Sequence, residues 1–249
     1  MNAKWIRLTA VLGAVAFLGV LSGYSQDVTM KYLSPLNSSV TWDNAYYAGI
    51  YNGQIGTVSA KLICDDFQDQ INSGDTWKAS VLSASALGSL TSVQLSADTM
   101  FGSKIGASGY AQVAYLVSQI FTFGSGGGNP SNIQLSLAGV TVDHLSLADL
   151  SAVIWSITDS TLGGLSSNEA KLRNAVLNLY TTTDSAQSYL SSLTNLWLYT
   201  PDPNRHGGGQ EMWSQVAVPE GGENLLYLLL AGTFIFGAIY LRSKSTIAV

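Results

Sequence analysis

Cysteine, histidine and charge are what this chain has least of: one Cys, two His, and charged side chains at only 11% of 249 positions. Each scarcity closes off chemistry. A lone Cys64 has no internal disulfide partner, so it is a small buried hydrophobe, a reactive thiol or half of an intermolecular bridge. His144 and His206 stand sixty-two residues apart with no Cys or His at metal-ligand spacing, so no zinc site is expected. A Cys64–His144 thiol dyad has no local signature to support it. Glutamate in the body of the chain is limited to Glu169 and Glu211, and no carboxylate pair stands out for glycoside hydrolysis. Basic residues are few as well. Between residues 26 and 219, seven Lys and Arg face fourteen Asp and Glu, a balance of about −7. Such a surface repels nucleic acid, and no basic patch interleaved with aromatics offsets it, so nucleic-acid binding is excluded.

Hydrophobic residues, at 47%, are plentiful, and two terminal segments hold many of them. Residues 1–7 carry Lys4 and Arg7, residues 8–21 are apolar, and residues 22–25 are mostly small. This order is that of a secretory signal peptide, with Gly23 and Ser25 at the small positions before a cut after Ser25. No cysteine follows the cut to take a lipid, so a lipoprotein is not expected. At the other end, residues 225–241 are uncharged and Arg242 and Lys244 follow at once. Seventeen residues at about 1.5 Å each span roughly 25 Å, enough for one membrane helix, and the basic end favours the cytoplasmic side. The expected organisation is a signal peptide at 1–25, one extracytoplasmic domain at 26–218 and a membrane tail at 219–249.

The body alternates patterns. Residues 26–44 read as an irregular lead-in. Residues 45–66 read as strands, with Asn52-Gly53 as a hairpin turn. Residues 75–87 read as extended. Tyr110, Val113, Ala114, Val117, Ile120 and Phe121 share one helical face. The run GSGGGNP then breaks that helix. Ser146 followed by Asp149 predicts an N-cap for a helix over 147–159 that buries Leu150, Val153, Ile154 and Ile157. Further helices are expected over 168–180 and 184–193, and closing strands in LWLYT and EMWSQVAV. The fold class that follows is α+β, with antiparallel strands flanking a central helical cluster.

Asp65, Asp66 and Asp69 form the densest polar cluster and are the weak candidates for a calcium ion. The order and closing Glu of an EF-hand are missing, and strand-end carboxylates facing solvent are the plainer expectation. No cofactor is expected. Among the tryptophans, Trp77, Trp155 and Trp197 sit at core-like spacing, whereas Trp42 and Trp213 lie among polar or turn residues and are expected to be exposed. Exposed aromatics of this kind stack on sugar rings.

Two resemblances follow from particular residues. Val218, Pro219, Glu220, Gly221 and Gly222, a short spacer, the apolar run and the basic stop Arg242 and Lys244 resemble the PEP-CTERM sorting signal of Gram-negative bacteria. The resemblance covers about thirty residues. It implies export, transient anchoring in the cytoplasmic membrane, cutting near Pro-Glu by an exosortase, and release to the cell surface or extracellular matrix. The usual third residue, Pro, is Gly221 here. Physically, Pro219 stops a helix from running back and the two glycines leave an accessible backbone for a peptidase. Secondly, Cys64 at a strand end, the 110–121 helix and Val153-Ile154-Trp155 resemble the thioester adhesin domains of bacterial surface proteins. Those domains join a Cys to a Gln side chain, but Ser151 stands where that Gln belongs, so no thioester is expected at this pair. The expected role is non-enzymatic, in adhesion or in association with extracellular polysaccharide and biofilm. The rivals are an exported hydrolase and a permanently anchored periplasmic domain.

Overall fold

The structure is a computed structural model that describes residues 27–68, 71–201 and 209–216. Among the described residues ten strands lie in chain order: β1 Val28–Pro35, β2 Thr41–Trp42, β3 Tyr46–Tyr47, β4 Tyr51–Ile55, β5 Val58–Cys64, β6 Thr76–Ser83, β7 Ile133–Leu137, β8 Val140–Leu145, β9 Trp197–Pro201 and β10 Met212–Ser214. Six helices fall between β6 and β9: α1 Ala84–Leu87, α2 Ser92–Asp98, α3 Gly102–Gly124, α4 Leu147–Thr158, α5 Ser167–Leu177 and α6 Thr183–Ser192. The class is α+β. Strands from both ends of the body close one barrel in the order β1-β4-β5-β10-β9-β6, with every neighbour antiparallel. The helices form the cluster between these two sets of strands, with the β7–β8 hairpin inserted among them.

Long helix α3 sits at the centre and packs on α2, α4 and α6. All six residues of its predicted face are buried. Burying an aliphatic or aromatic side chain of this size yields about 1.5–3 kcal/mol each, so this face supplies a large part of the core. The helix begins eight residues before the predicted face and kinks at Gly106, whose φ of 58° and ψ of −167° are non-helical. α4 starts as predicted: Ser146 Oγ accepts from the Asp149 N–H at 3.3 Å, and Asp149 Oδ2 accepts from the Ser146 N–H at 2.6 Å. Leu150, Val153, Ile154 and Ile157 are all buried. α5 and α6 fall within a few residues of their predicted spans, and both carry the same reciprocal cap.

Three expectations are corrected. The lead-in is a barrel strand: Val28, Met30 and Tyr32 alternate inward along β1, which pairs with both β4 and β6. Its apolar signal is only three residues long, and partners far along the chain decide its conformation. Asn52-Gly53 is no turn; both residues lie within β4, opposite Lys61 and Ala60. The turn comes at Gly56, with φ of 60°. Gly53 is needed for a close approach instead, because a Cβ there would lie 2.4 Å from Leu62 Cδ1 and 2.7 Å from the Lys31 carbonyl. The extended reading of 75–87 holds only to Ser83, where the strand gives way to α1. No described helix is long and apolar enough to cross a membrane. The signal segment, Asp69, His206, the sorting motif and the 225–241 run with its basic stop lie outside the described residues.

Candidate functional site

β5 delivers Cys64, Asp65 and Asp66 to a place where three side chains hold three successive carbonyls. Trp155 Nε1 donates to the Cys64 carbonyl at 3.2 Å, Thr158 Oγ1 to that of Asp65 at 2.6 Å, and Gln210 Nε2 to that of Asp66 at 3.3 Å. The first two donors come from α4, one turn apart on the face that Ser146 and Asp149 orient. The third precedes β10. This stretch of backbone leaves its sheet partner yet stays fixed, since each carbonyl that loses a strand partner gains a side-chain donor.

Successive side chains then diverge. Asp65 turns inward and is fully buried. Its Oδ2 accepts from Trp213 Nε1 at 2.7 Å. Its carboxyl abuts that of Glu211, close enough for the two to share a proton. Glu211 accepts from Tyr110 Oη at 2.7 Å, Thr200 Oγ1 at 2.6 Å and the Met100 N–H at 2.9 Å. Burial first, and then the Glu211 charge, push Asp65 well above the ordinary carboxylate range. Burial raises Glu211 too, but its three other donors favour its charged form. Asp65 therefore carries the shared proton and Glu211 the charge.

Asp66 turns the other way, to a cavity of about 200 Å³. The floor is Cys64, Asp66 and Gln210, and Asn72 lies at the side. Aromatic rings make most of the wall: Tyr32, Tyr46, Tyr47, Tyr51, Phe67 and Trp155. Phe67 is the hub, with centroids 4.8 Å from Tyr46, 5.3 Å from Trp155 and 5.7 Å from Trp42. The two edge contacts, with Tyr46 and Trp42, add about 0.5–1.5 kcal/mol each to the area they bury. Behind them Trp42 Nε1 donates to Glu169 Oε1 at 2.9 Å, tying the wall to α5. Tyr46 and Tyr47 form the exposed lip, at 38% and 49% exposure. The phenols inside stay protonated: burial raises Tyr32 to about 12 and pushes Tyr51 well above its ordinary value.

The Cys64 thiol is not activated. It donates to the Asp66 carbonyl at 2.8 Å, and burial first, then the Asp66 charge, pushes it well above its ordinary value. A thiol held neutral in this way is a poor nucleophile. His144 lies exposed on β8 with φ of 54° and does not line the cavity. Ser151, at the position of the adhesin Gln, is a core residue that accepts from the Gly49 N–H at 2.9 Å and donates to the Leu147 carbonyl at 3.1 Å.

The acidic triplet is thus split. Asp65 and Asp66 are 0% and 2% exposed, so neither is a solvent-facing turn carboxylate. Among the described residues, no group of three or more His, Cys, Asp or Glu is arranged to hold a metal ion. Trp213, expected at the surface, is fully buried against Tyr110, while Trp42 is half-buried. The aromatic wall was not anticipated as a unit, because its members come from five separate elements and loops. Its one local signal was the tyrosine-rich stretch Tyr46, Tyr47 and Tyr51, followed shortly by Phe67. Gln210 and Glu211 gave a signal only as polar residues next to an apolar strand. No family model, no curated protein and no solved structure matches this chain.

Proposed function

We propose that the chain is a non-enzymatic, exported surface or matrix protein that associates with extracellular polysaccharide. In this reading residues 1–25 export it. Val218, Pro219, Glu220, Gly221 and Gly222 are the segment that an exosortase-type peptidase reads, while residues 225–241 and the basic stop Arg242 and Lys244 hold the intermediate in the membrane. The observation that carries the role of the body is the cavity: an aromatic wall opening through Tyr46 and Tyr47 over a floor of hydrogen-bonding groups. Aromatic faces pack on the apolar face of a sugar ring, and a few fixed polar groups orient it. The neutral, hydrogen-bonded thiol of Cys64 supports binding over thiol chemistry.

The test is co-fractionation in the native host. Intact protein is expected with the extracellular polysaccharide fraction, and a variant with Tyr47→Ala in reduced amount there. A protein found wholly in the soluble periplasm, or one whose association ignores Tyr47, would overturn the reading. Removal of residues 219–249 is expected to abolish processing; if it only makes the chain soluble, the tail is a plain anchor.

A further inference from the structure

The β7–β8 hairpin has one guarded edge and one open edge. It is a two-stranded sheet of its own, joined by Ala138 and Gly139 with φ of 48° and 81°. In a two-residue turn of this kind the flanking pair, Leu137 and Val140, exchanges hydrogen bonds. By alternation Leu135 and Val142 do the same, while Ser136 and Gln134 turn their backbone N–H and C=O away from β8. The outward carbonyls of β8 are covered by α5. Lys171 Nζ donates to that of Thr141 at 2.7 Å, and Asn168 Nδ2 to that of Asp143 at 3.3 Å. β8 also carries the extra residue of a bulge and the charge of Asp143. Cover, bulge and charge are the usual guards of a strand edge, and β7 has none of them. Among the described residues no hydrogen bond takes the four outward groups of Gln134 and Ser136, and both residues are exposed. Ile133, Leu135 and Leu137 point into the core and fix the strand.

An edge of this kind accepts another extended strand. Charge decides which. From 105 to 142 the chain holds no Asp, Glu, Lys, Arg or His, although the whole molecule is acidic at −5. A second copy brings the same net charge, and this is the longest stretch that adds nothing to the repulsion. The strand is also complementary to itself. Antiparallel about a two-fold at Leu135, Gln134 lies opposite Ser136 of the second copy, and Ser136 opposite its Gln134, each pair exchanging two backbone hydrogen bonds. We infer that two copies of the chain associate edge to edge through β7, in a continuous four-stranded sheet β8-β7-β7-β8. With five residues a side the contact is much smaller than a standard interface. Its monomer–dimer equilibrium is therefore centred between about 10 µM and 1 mM.

The experiment is sedimentation of the protein produced in its native host, across that concentration range, beside substituted chains. The dimer fraction is expected to rise with concentration. Ser136→Pro removes an N–H that the β7–β8 ladder does not use, so the melting temperature is expected to stay and the dimer to weaken about tenfold or more. Ser136→Lys, a charge at an exposed edge position, is expected to weaken it likewise. Register is read from disulfides. Gln134→Cys and Ser136→Cys chains, mixed in air, are expected to cross-link to one another more than either does to itself, since the opposed Cα atoms lie about 5.5 Å apart. Native Cys64 is buried and does not compete. A monomer up to about 1 mM would overturn the inference. So would a dimer indifferent to both Ser136 substitutions, or one that links each cysteine-bearing chain as readily to itself. Association that disappears with residues 219–249 would belong to the tail and would overturn pairing through β7 as well. None of these outcomes touches the polysaccharide reading, which rests on the cavity.

Discussion

Burial leaves Asp65 holding a proton that an exposed aspartate would have lost, and this has a consequence for stability. With its pKa raised in the folded state, the folded chain binds more protons than the unfolded chain between the ordinary carboxylate range and the raised value. Its stabilising contribution is thus fully present at low pH and is lost as pH rises through that window. For one proton the slope is at most about 1.4 kcal/mol per pH unit. Asp65→Asn keeps an acceptor for Trp213 Nε1 and places a permanent donor towards Glu211. The melting temperature of the Asn variant is expected to fall less steeply from acidic to alkaline pH, with its largest advantage at the alkaline end; parallel curves would contradict the shared proton. Little of this was legible in the sequence. Three aspartates within five positions look like a turn, and only the pairing of Cys64 with Met212 in β10 brings Glu211 beside Asp65. Scarcity was the better guide: the two glutamates of the body, Glu169 and Glu211, are both buried and both hydrogen-bonded.

At the scale of elements, the helices were the readable part. Their signals are local: a cap residue, an acid or polar residue three positions on, and a repeating apolar face. The α4 cap matters beyond its own helix, because α4 carries Trp155 and Thr158 to the Cys64 and Asp65 carbonyls. Ser146→Ala is expected to cost about 1 kcal/mol in chemical denaturation. It is also expected to loosen the cavity floor, seen as faster hydrogen exchange around residues 64–66. The strands were read less well. β1 was missed because its pairing is wholly non-local, and Asn52-Gly53 was misread because a glycine demanded by packing looks the same in sequence as one demanded by a turn. Gly53→Ala distinguishes the two. A Cβ pressed between Leu62 and the Lys31 carbonyl is expected to destabilise by about 1–3 kcal/mol, whereas a loop glycine at φ below zero would tolerate alanine.

For the whole molecule, the barrel explains why the two ends of the body must be present together. β1, β4, β5 and β6 come from its beginning, β9 and β10 from its end, and the helices fold between them. The cavity floor is likewise built from both, with Cys64 and Asp66 from one side and Gln210 from the other. The α+β class and the helical centre could be read from patterning, but barrel closure could not, since six short strands give no periodic sign of which pairs with which. The terminal segments stand apart from this, and the proposed route to the surface depends on them. It is tested most directly by the intact mass of the protein recovered from its native host. A chain running from Gln26 to an end between Pro219 and Gly222 is the expected result for an exported protein released at its sorting motif. A mass that retains residues 225–249 would contradict it, and would make the protein a membrane-tethered domain instead.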